Sequence, residues 1–197
     1  MDSSSDSESE KAPPPGQPWS ESEEEVSDEE MPSDDYDKKL SWAIRKDTEL
    51  FKSMLLESPE LATKKLDDGY TCLHMATSEG NLEAVKVLLE AGAEVNSVNN
   101  DGWTALHSAC KWNHVEIAKA LLNQGADCNV KTNGGLSPIH ICSNNSDPGK
   151  LMSMILSRRC VKINQKSQGD DTPEELCERY NKCSHLLEMQ ADYLNNF

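Results

Sequence analysis

The chain has 197 residues and a formal net charge of −16, with 36% hydrophobic residues. The charge is uneven, because residues 1–37 hold fourteen acidic side chains against a single basic one, Lys11. Such a polyanionic segment argues against direct binding to nucleic acid or to anionic membranes, whose phosphates attract clustered Lys and Arg, and no apolar run approaches the eighteen or so residues that span a bilayer.

The cysteines predict a reducing compartment. Their number, seven, is odd, and no Cys-x-x-Cys pair occurs. We also find no cationic and apolar signal segment at the start of the sequence. Unpaired thiols without such a signal are typical of intracellular proteins, and we therefore expect an intracellular location.

Residues 1–35 are predicted to form a disordered acidic tail rich in Ser, Glu and Asp. Few large apolar side chains interrupt this tail, Trp19 among them, so it cannot bury enough surface to offset the entropy of ordering. The tail is interpreted either as a solvating segment or as a docking segment for basic proteins. Several serines have an acidic residue three positions later, which suits acidophilic kinases; those singled out are Ser5, Ser7, Ser20, Ser22 and Ser27.

The rest of the chain repeats itself every 33 residues. The Asp68-Gly69 pair, for example, recurs as Asp101-Gly102. A fixed period with many coincidences is the mark of a repeat architecture. The recurring positions include His74, His107 and His140, the Leu-Leu pairs at 55–56, 88–89 and 121–122, and the small residues Ala43, Ala76, Ala109 and Cys142.

Each repeating unit predicts a turn followed by two helices. A Thr or Ser after the turn is the expected N-cap of the first helix, since its hydroxyl accepts from an orphan backbone N–H. Apolar spacing then predicts a second helix, which ends at Gly92 in one unit and Gly125 in the next. In the last unit Thr172-Pro173-Glu174-Glu175 is a Thr-x-x-Glu capping box. The predicted capping residues are Thr71, His74, Thr104, His107, Ser137, His140, Thr172 and Glu175.

These units resemble the ankyrin repeat, which implies an all-α solenoid of stacked helix pairs with hairpin fingers. Residues 68–100 and 101–133 are the clearest repeats, and residues 134–168 form a repeat expanded by two residues. Residues 36–67 resemble a degenerate N-terminal unit, with Trp42-Ala43 but no Thr-x-x-His, and residues 169–197 resemble a C-terminal capping unit. The ankyrin repeat domain is thus expected over residues 36–197.

A narrower resemblance rests on four features together. They are the acidic tail with its Trp, the Trp-Ala first unit, the stretch DGWTALHSACKWN at 101–113 and the expanded unit. The combination resembles one group of ankyrin proteins and implies an intracellular, non-enzymatic protein linked to transcriptional control. On that resemblance the nucleus is favoured over the cytoplasm.

Several residues invite a catalytic or metal-binding interpretation that the period argues against. Cys110 stands where the previous unit has Thr77, and Cys142 replaces the recurring Ala, so these cysteines are interpreted as small core residues. The His and Cys spacings match no zinc pattern, and no catalytic set stands out. Asp147-Pro148 is interpreted as an N-cap and first helical residue. We predict that the chain is not an enzyme and that it holds no metal and no cofactor.

The resemblance places one variable position of each unit near the hairpin tip and two on the concave face, and together they form one functional face. Trp is enriched among interface hot spots, so Trp103 and Trp112 are expected at the centre of this face. The alternative for either tryptophan is packing against a neighbouring finger or helix. The predicted partner-binding residues are Tyr70, Ser78, Glu79, Trp103, Lys111, Trp112, Leu136, Asn144 and Asn145.

Two functions from different classes are compatible with these observations. The first is a monomeric protein-binding adaptor or regulator, whose concave face selects a protein partner while the tail attracts basic proteins. The second is an acidic chaperone of basic proteins such as histones, in which the tail is the active part. Neither function involves a membrane or direct binding to nucleic acid, and deletion of residues 1–37 distinguishes the two.

Overall fold

The fold is described here from a computed structural model over residues 36–66, 68–145, 149–158 and 160–179. Within these ranges the secondary structure is helical, and the extended pairing is limited to one antiparallel bridge between Lys65 and Thr71. The predicted all-α solenoid of helix pairs is confirmed. The helices are α1 (Tyr36–Lys46), α2 (Thr48–Glu57), a short 3-10 helix (Pro59–Ala62), α3 (Cys72–Ser78), α4 (Leu82–Glu90), α5 (Ala105–Lys111), α6 (Val115–Asn123), α7 (Pro138–Ser143), α8 (Gly149–Leu156) and α9 (Pro173–Arg179).

The helices form two layers, which we call the inner row and the outer row. The inner row consists of α1, α3, α5, α7 and α9, and each of these helices packs against the next. The outer row consists of α2, α4, α6 and α8, packed in the same sequence. Apolar side chains of both rows meet in a continuous core. Four inner-row side chains in this core are fully buried and recur every 33 residues: Leu40, Leu73, Leu106 and Ile139.

Small side chains let the inner helices approach one another closely. The recurring small position of each inner helix is fully buried, because a larger side chain there would have to fit between two helices. The residues at this position are Ala43, Ala76, Ala109, Cys142 and Cys177.

A hairpin precedes each inner helix after the first. Each hairpin is closed by a hydrogen bond from the backbone N–H of its first residue to the backbone carbonyl four residues later. These bonds run from residue 66 to 70 (2.8 Å), 99 to 103 (3.0 Å), 132 to 136 (2.9 Å) and 167 to 171 (2.9 Å). Neighbouring hairpins are also joined, because the backbone N–H of Asn100 donates to Asp68 O (3.1 Å) and that of Asn133 to Asp101 O (2.8 Å). The hairpins therefore stack in the same order as the inner helices.

Side chains also connect one helix pair to the next. Asn81 caps α4 by accepting from the backbone N–H of Ala84 (3.0 Å), and its amide donates to Ile44 O (2.7 Å) in α1. One amide group thus begins an outer helix and fastens it to the preceding unit.

None of the helices in the described ranges has the length and apolar character needed to cross a membrane.

Candidate protein-binding face

Three inner helices begin at a reciprocal capping box that contains a histidine. At α3 the hydroxyl of Thr71 accepts from the backbone N–H of His74 (3.4 Å), and Nδ1 of His74 accepts from the backbone N–H of Thr71 (3.2 Å). Thr104 with His107 and Ser137 with His140 have the same arrangement. Because Nδ1 is an acceptor, the proton of each neutral imidazole lies on Nε2.

That second ring nitrogen connects each unit to the next one. Nε2 of His74 donates to Trp103 O (2.9 Å), that of His107 to Leu136 O (3.2 Å) and that of His140 to Gln165 O (2.9 Å). The acceptor is in every case a backbone carbonyl in or near the following hairpin. The three histidines therefore hold helix starts and hairpins together, and their lone pairs and protons are used in structural bonds.

Burial keeps these imidazoles neutral. It lowers the pKa of His74 and of His140, and it lowers the pKa of His107 from 6.5 to about 4. A protonated ring would have a proton on Nδ1, where the box needs an acceptor, so protonation and capping exclude each other.

The fourth box uses a carboxylate in place of the imidazole. At α9 the Glu175 carboxylate accepts from the backbone N–H of Thr172 (2.7 Å), and the Thr172 hydroxyl accepts from the backbone N–H of Glu175 (3.3 Å). These hydrogen bonds hold the pKa of Glu175 below its ordinary value.

An aromatic residue precedes two of the caps, and each packs on the capping histidine that follows it. The rings of Tyr70 and His74 lie 5.4 Å apart, edge to face, and those of Trp103 and His107 lie 5.9 Å apart at a tilt. Trp103 is partly buried and also packs against the core. It therefore supports its hairpin as well as lining the face, which is the packing alternative considered for it above.

Trp112 has different surroundings. It is the C-cap residue of α5, and 55% of its surface is exposed. Lys111 beside it is also exposed. The structure therefore separates two tryptophans that the sequence treats alike.

The other predicted contact residues lie beside these two on adjacent units. Ser78 and Glu79 end α3, and Asn144 and Asn145 follow α7. The amide of Asn145 donates to Cys110 O, so this side chain also connects two inner helices. We call the exposed surface of the inner row and of the stacked hairpins the inner face. Its predicted members, ordered by unit, are Tyr70, Ser78, Glu79, Trp103, Lys111, Trp112, Leu136, Asn144 and Asn145.

The inner face also includes residues of α1 that the sequence analysis did not single out. Arg45 donates to the Glu79 carboxylate (2.9 Å), and Ser41 donates to Met75 Sδ (3.5 Å). Trp42 and Met75 are partly buried against the core. The 33-residue period was sufficient to predict Arg45 as a member of this face, since Arg45 follows Ala43 by two positions, as Ser78 follows Ala76.

A comparison with protein families assigns the repeats independently. The sequence model for ankyrin repeats matches residues 40–132 as three copies. Residues 40–132 are thus similar to ankyrin repeats. The match starts within α1 and reaches the hairpin before α7, and therefore includes helices of the unit that lacks Thr-x-x-His. Among curated proteins, none matches the chain significantly.

Ankyrin repeats generally mediate protein–protein interactions, and the family is typically non-enzymatic. In this chain the described cysteines are free thiols, buried except for Cys160. Burial raises the pKa of the Cys72 thiol to about 11 and that of Cys128 to about 12, so both are poor nucleophiles near neutral pH. Within the ranges that the structure describes, no group of three or more His, Cys, Asp and Glu side chains could hold a metal ion.

Some sequence predictions lie outside the described residues. They are the disordered tail of residues 1–35 with its five candidate phosphorylation serines, the N-cap Asp147 with Pro148, and the end of the capping unit beyond residue 179. The proposed boundaries of the ankyrin units stay a prediction.

Proposed function

We propose that this protein is a non-enzymatic adaptor that binds a protein partner on the inner face of its ankyrin repeats. The observation that carries the proposal is the exposure of Trp112. An indole ring left 55% exposed keeps apolar surface in water, and burying it against a partner would release that cost.

The position of Trp112 supports the same conclusion. It caps the C-terminal end of α5, the middle helix of the inner row as far as the structure describes it, and polar residues lie on both neighbouring units, Glu79 on one side and Asn144 on the other. Protein interfaces commonly have an apolar anchor at the centre and a polar rim around it.

A comparison of two exposed residues tests the proposal. The full chain and its Trp112→Ala and Leu56→Ala variants are used as bait for affinity purification with quantitative mass spectrometry. Leu56 is a matched control, because it lies on the outer row and is 83% exposed. We expect at least one protein to be lost with Trp112→Ala and retained with Leu56→Ala.

Titration of that purified partner gives the quantitative test. Loss of a central Trp should raise the dissociation constant about 30-fold or more, which corresponds to about 2 kcal/mol. A partner that binds both variants as it binds the unchanged chain would place the binding surface elsewhere.

A nuclear location and a role in transcription are finer proposals, supported by the narrower resemblance described above. Imaging of the fluorescently tagged full chain tests the location, and a purely cytoplasmic signal contradicts it. The rival role as a chaperone of basic proteins predicts that binding is lost on deletion of residues 1–37 and unaffected by Trp112→Ala.

A further inference from the structure

We propose that the partner segment that covers Trp112 has a carboxylate next to its apolar side chain, and that this carboxylate pairs with Lys111. The inference rests on the adaptor function proposed above and specifies its partner as an acidic and apolar stretch of a protein. It is carried by an ion pair between α1 and the end of α3, whose acidic member is missing between α5 and the end of α7.

The complete ion pair joins two neighbouring units of the inner row. The guanidinium of Arg45 donates to the carboxylate of Glu79 over 2.9 Å. Arg45 lies in the last turn of α1, and Glu79 is the C-cap residue of α3. The charges of both side chains are therefore compensated within the chain.

The same two positions recur two 33-residue periods later, with one member changed. Lys111 corresponds to Arg45 and lies in the last turn of α5. Asn145 corresponds to Glu79 and lies just beyond the end of α7. Its amide donates to Cys110 O, the carbonyl that precedes Lys111 in the chain. The cation is thus present, but an uncharged amide stands where the first two units have the carboxylate.

Lys111 is left without an acidic partner. Within the described residues its ammonium forms neither a hydrogen bond nor an ion pair, and the side chain is exposed. Helix α7 on the following unit has no Asp, Glu, Lys or Arg. The exposed Glu116, in the first turn of α6, forms no ion pair with Lys111 in these ranges. The end of α5 therefore presents a cation with three available donors.

This cation stands directly beside the exposed indole. Trp112 follows Lys111 in the chain as the C-cap residue of α5, and 55% of its surface is exposed. An apolar side chain that covers the indole also excludes water near Lys111, which strengthens the attraction between the ammonium and a carboxylate. A basic residue at the same place is repelled. Because adjacent Cα atoms are about 3.8 Å apart, the carboxylate is expected within about two residues of the apolar side chain.

A selection from a random peptide library tests the inference without a known partner. Phage-displayed random peptides are selected on the full chain, and peptides that also bind Trp112→Ala are discarded. We expect Asp and Glu to be enriched about twofold or more over the unselected library at positions beside the apolar residue. The net charge of −16 favours basic peptides, so overall charge does not produce this enrichment.

Two charge reversals of equal size identify the cation. Lys111→Glu and Lys119→Glu change the net charge equally, and Lys119 is an exposed residue of α6 in the outer row. Fluorescence anisotropy at low salt measures the dissociation constant of a selected peptide for each variant. We expect Lys111→Glu to raise this constant about fivefold or more, and Lys119→Glu to raise it less than about twofold. High salt should reduce the difference.

A third comparison supplies the missing carboxylate from within the chain. Asn145→Glu adds a carboxylate at the position that corresponds to Glu79, while Asn145→Gln has nearly the same shape without the charge. The added carboxylate should compete for Lys111, so the selected peptide should bind Asn145→Glu about threefold more weakly than Asn145→Gln. Circular dichroism verifies that both variants are folded.

The outcomes separate this inference from the adaptor proposal. Trp112-dependent peptides without an excess of acidic residues overturn the inference and leave the adaptor proposal standing. Equal losses for Lys111→Glu and Lys119→Glu indicate an effect of net charge, and they overturn it as well. Equal binding of the two Asn145 variants contradicts the pairing with Lys111 and has the same consequence. A selection that yields no Trp112-dependent peptide overturns the indole as anchor, and the inference with it.

Discussion

Trp103 and Trp112 show how nine residues of separation can change the surroundings of a side chain. Trp103 precedes α5 and packs on the ring of His107, whereas Trp112 follows the same helix and is 55% exposed to solvent. Apolar area that is already buried stabilises the fold, and apolar area that is still exposed is available to a partner. The two residues should therefore respond differently to truncation.

The first prediction concerns the free energy of unfolding of the two Trp→Ala variants. Trp103→Ala should lower it by about 2 kcal/mol, because the ring contacts His107 and the core, although it is only partly buried. Trp112→Ala should change it by no more than about 0.5 kcal/mol. Urea denaturation measures both values. A loss above about 2 kcal/mol for Trp112→Ala would show that this ring belongs to the scaffold.

The second prediction compares two glycines that share a backbone conformation. Gly80 has a φ of +73° and Gly92 a φ of +86°, so an alanine at either position is strained by about 1–2 kcal/mol. At Gly80 a Cβ would also lie 2.9 Å from Cε1 of His114, whereas at Gly92 it would meet nothing within 4 Å. Gly80→Ala should therefore cost about 1 kcal/mol more than Gly92→Ala in urea denaturation.

A double variant is the control for that comparison. In a chain that already lacks the His114 ring, Gly80→Ala should cost no more than Gly92→Ala does in the unchanged chain. This cost is the difference in free energy of unfolding between Gly80→Ala/His114→Ala and His114→Ala. An equal cost at the two glycines would mean that the His114 ring moves aside freely.

At the scale of helices and hairpins, the capping histidines make the fold sensitive to acid. The third prediction is that the free energy of unfolding falls by at least about 2 kcal/mol between pH 7 and pH 4.5. The folded pKa of His107, about 4, lies below the 6.5 of an unperturbed imidazole, so the unfolded chain binds protons that the folded chain excludes. This stability is complete above pH 6.5 and is lost as the pH falls towards 4.

The control uses a variant without the titrating group. His107→Gln should be less stable than the unchanged chain at pH 7, but its stability should depend less on pH between 6.5 and 5. Carboxylates such as Glu175, whose folded pKa is lowered, become protonated mainly below this window. Urea denaturation at a series of pH values measures the slope, and a free energy that is constant from pH 7 to pH 5 would contradict the prediction.

The sequence was sufficient for features that depend on local spacing and insufficient for those that depend on a neighbouring unit. The all-α solenoid follows from the 33-residue period, because buried positions such as Leu73 and Leu106 recur with it. The partial burial of Trp103 depends on the His107 ring in the helix that follows it and on contacts with the core, and no local pattern encodes those core contacts. The Arg45–Glu79 pair joins two units, and the first of them lacks the Thr-x-x-His signal.

At the scale of the whole chain, the charge is divided between an acidic N-terminal segment and a nearly neutral remainder. The fourth prediction is that deletion of residues 1–35 changes the thermal midpoint of unfolding by only a few degrees. The reason is compositional, because a segment with so little apolar surface contributes little burial energy to the repeats. Circular dichroism of the full chain and of residues 36–197 measures the difference, and a fall of more than about 6 °C, equivalent to about 2 kcal/mol, would contradict the prediction.

The bond from each histidine to the following hairpin is one that neighbouring units can form whatever their sequence. Its acceptor is a main-chain carbonyl, at Trp103 for His74 and at Leu136 for His107, so this bond does not depend on which side chain follows. Removal of residues 101–133 in register would present Leu136 O to His74 in place of Trp103 O. A whole unit, together with its contribution to partner recognition, could then be excised or duplicated while each remaining histidine still has a carbonyl acceptor in the next hairpin.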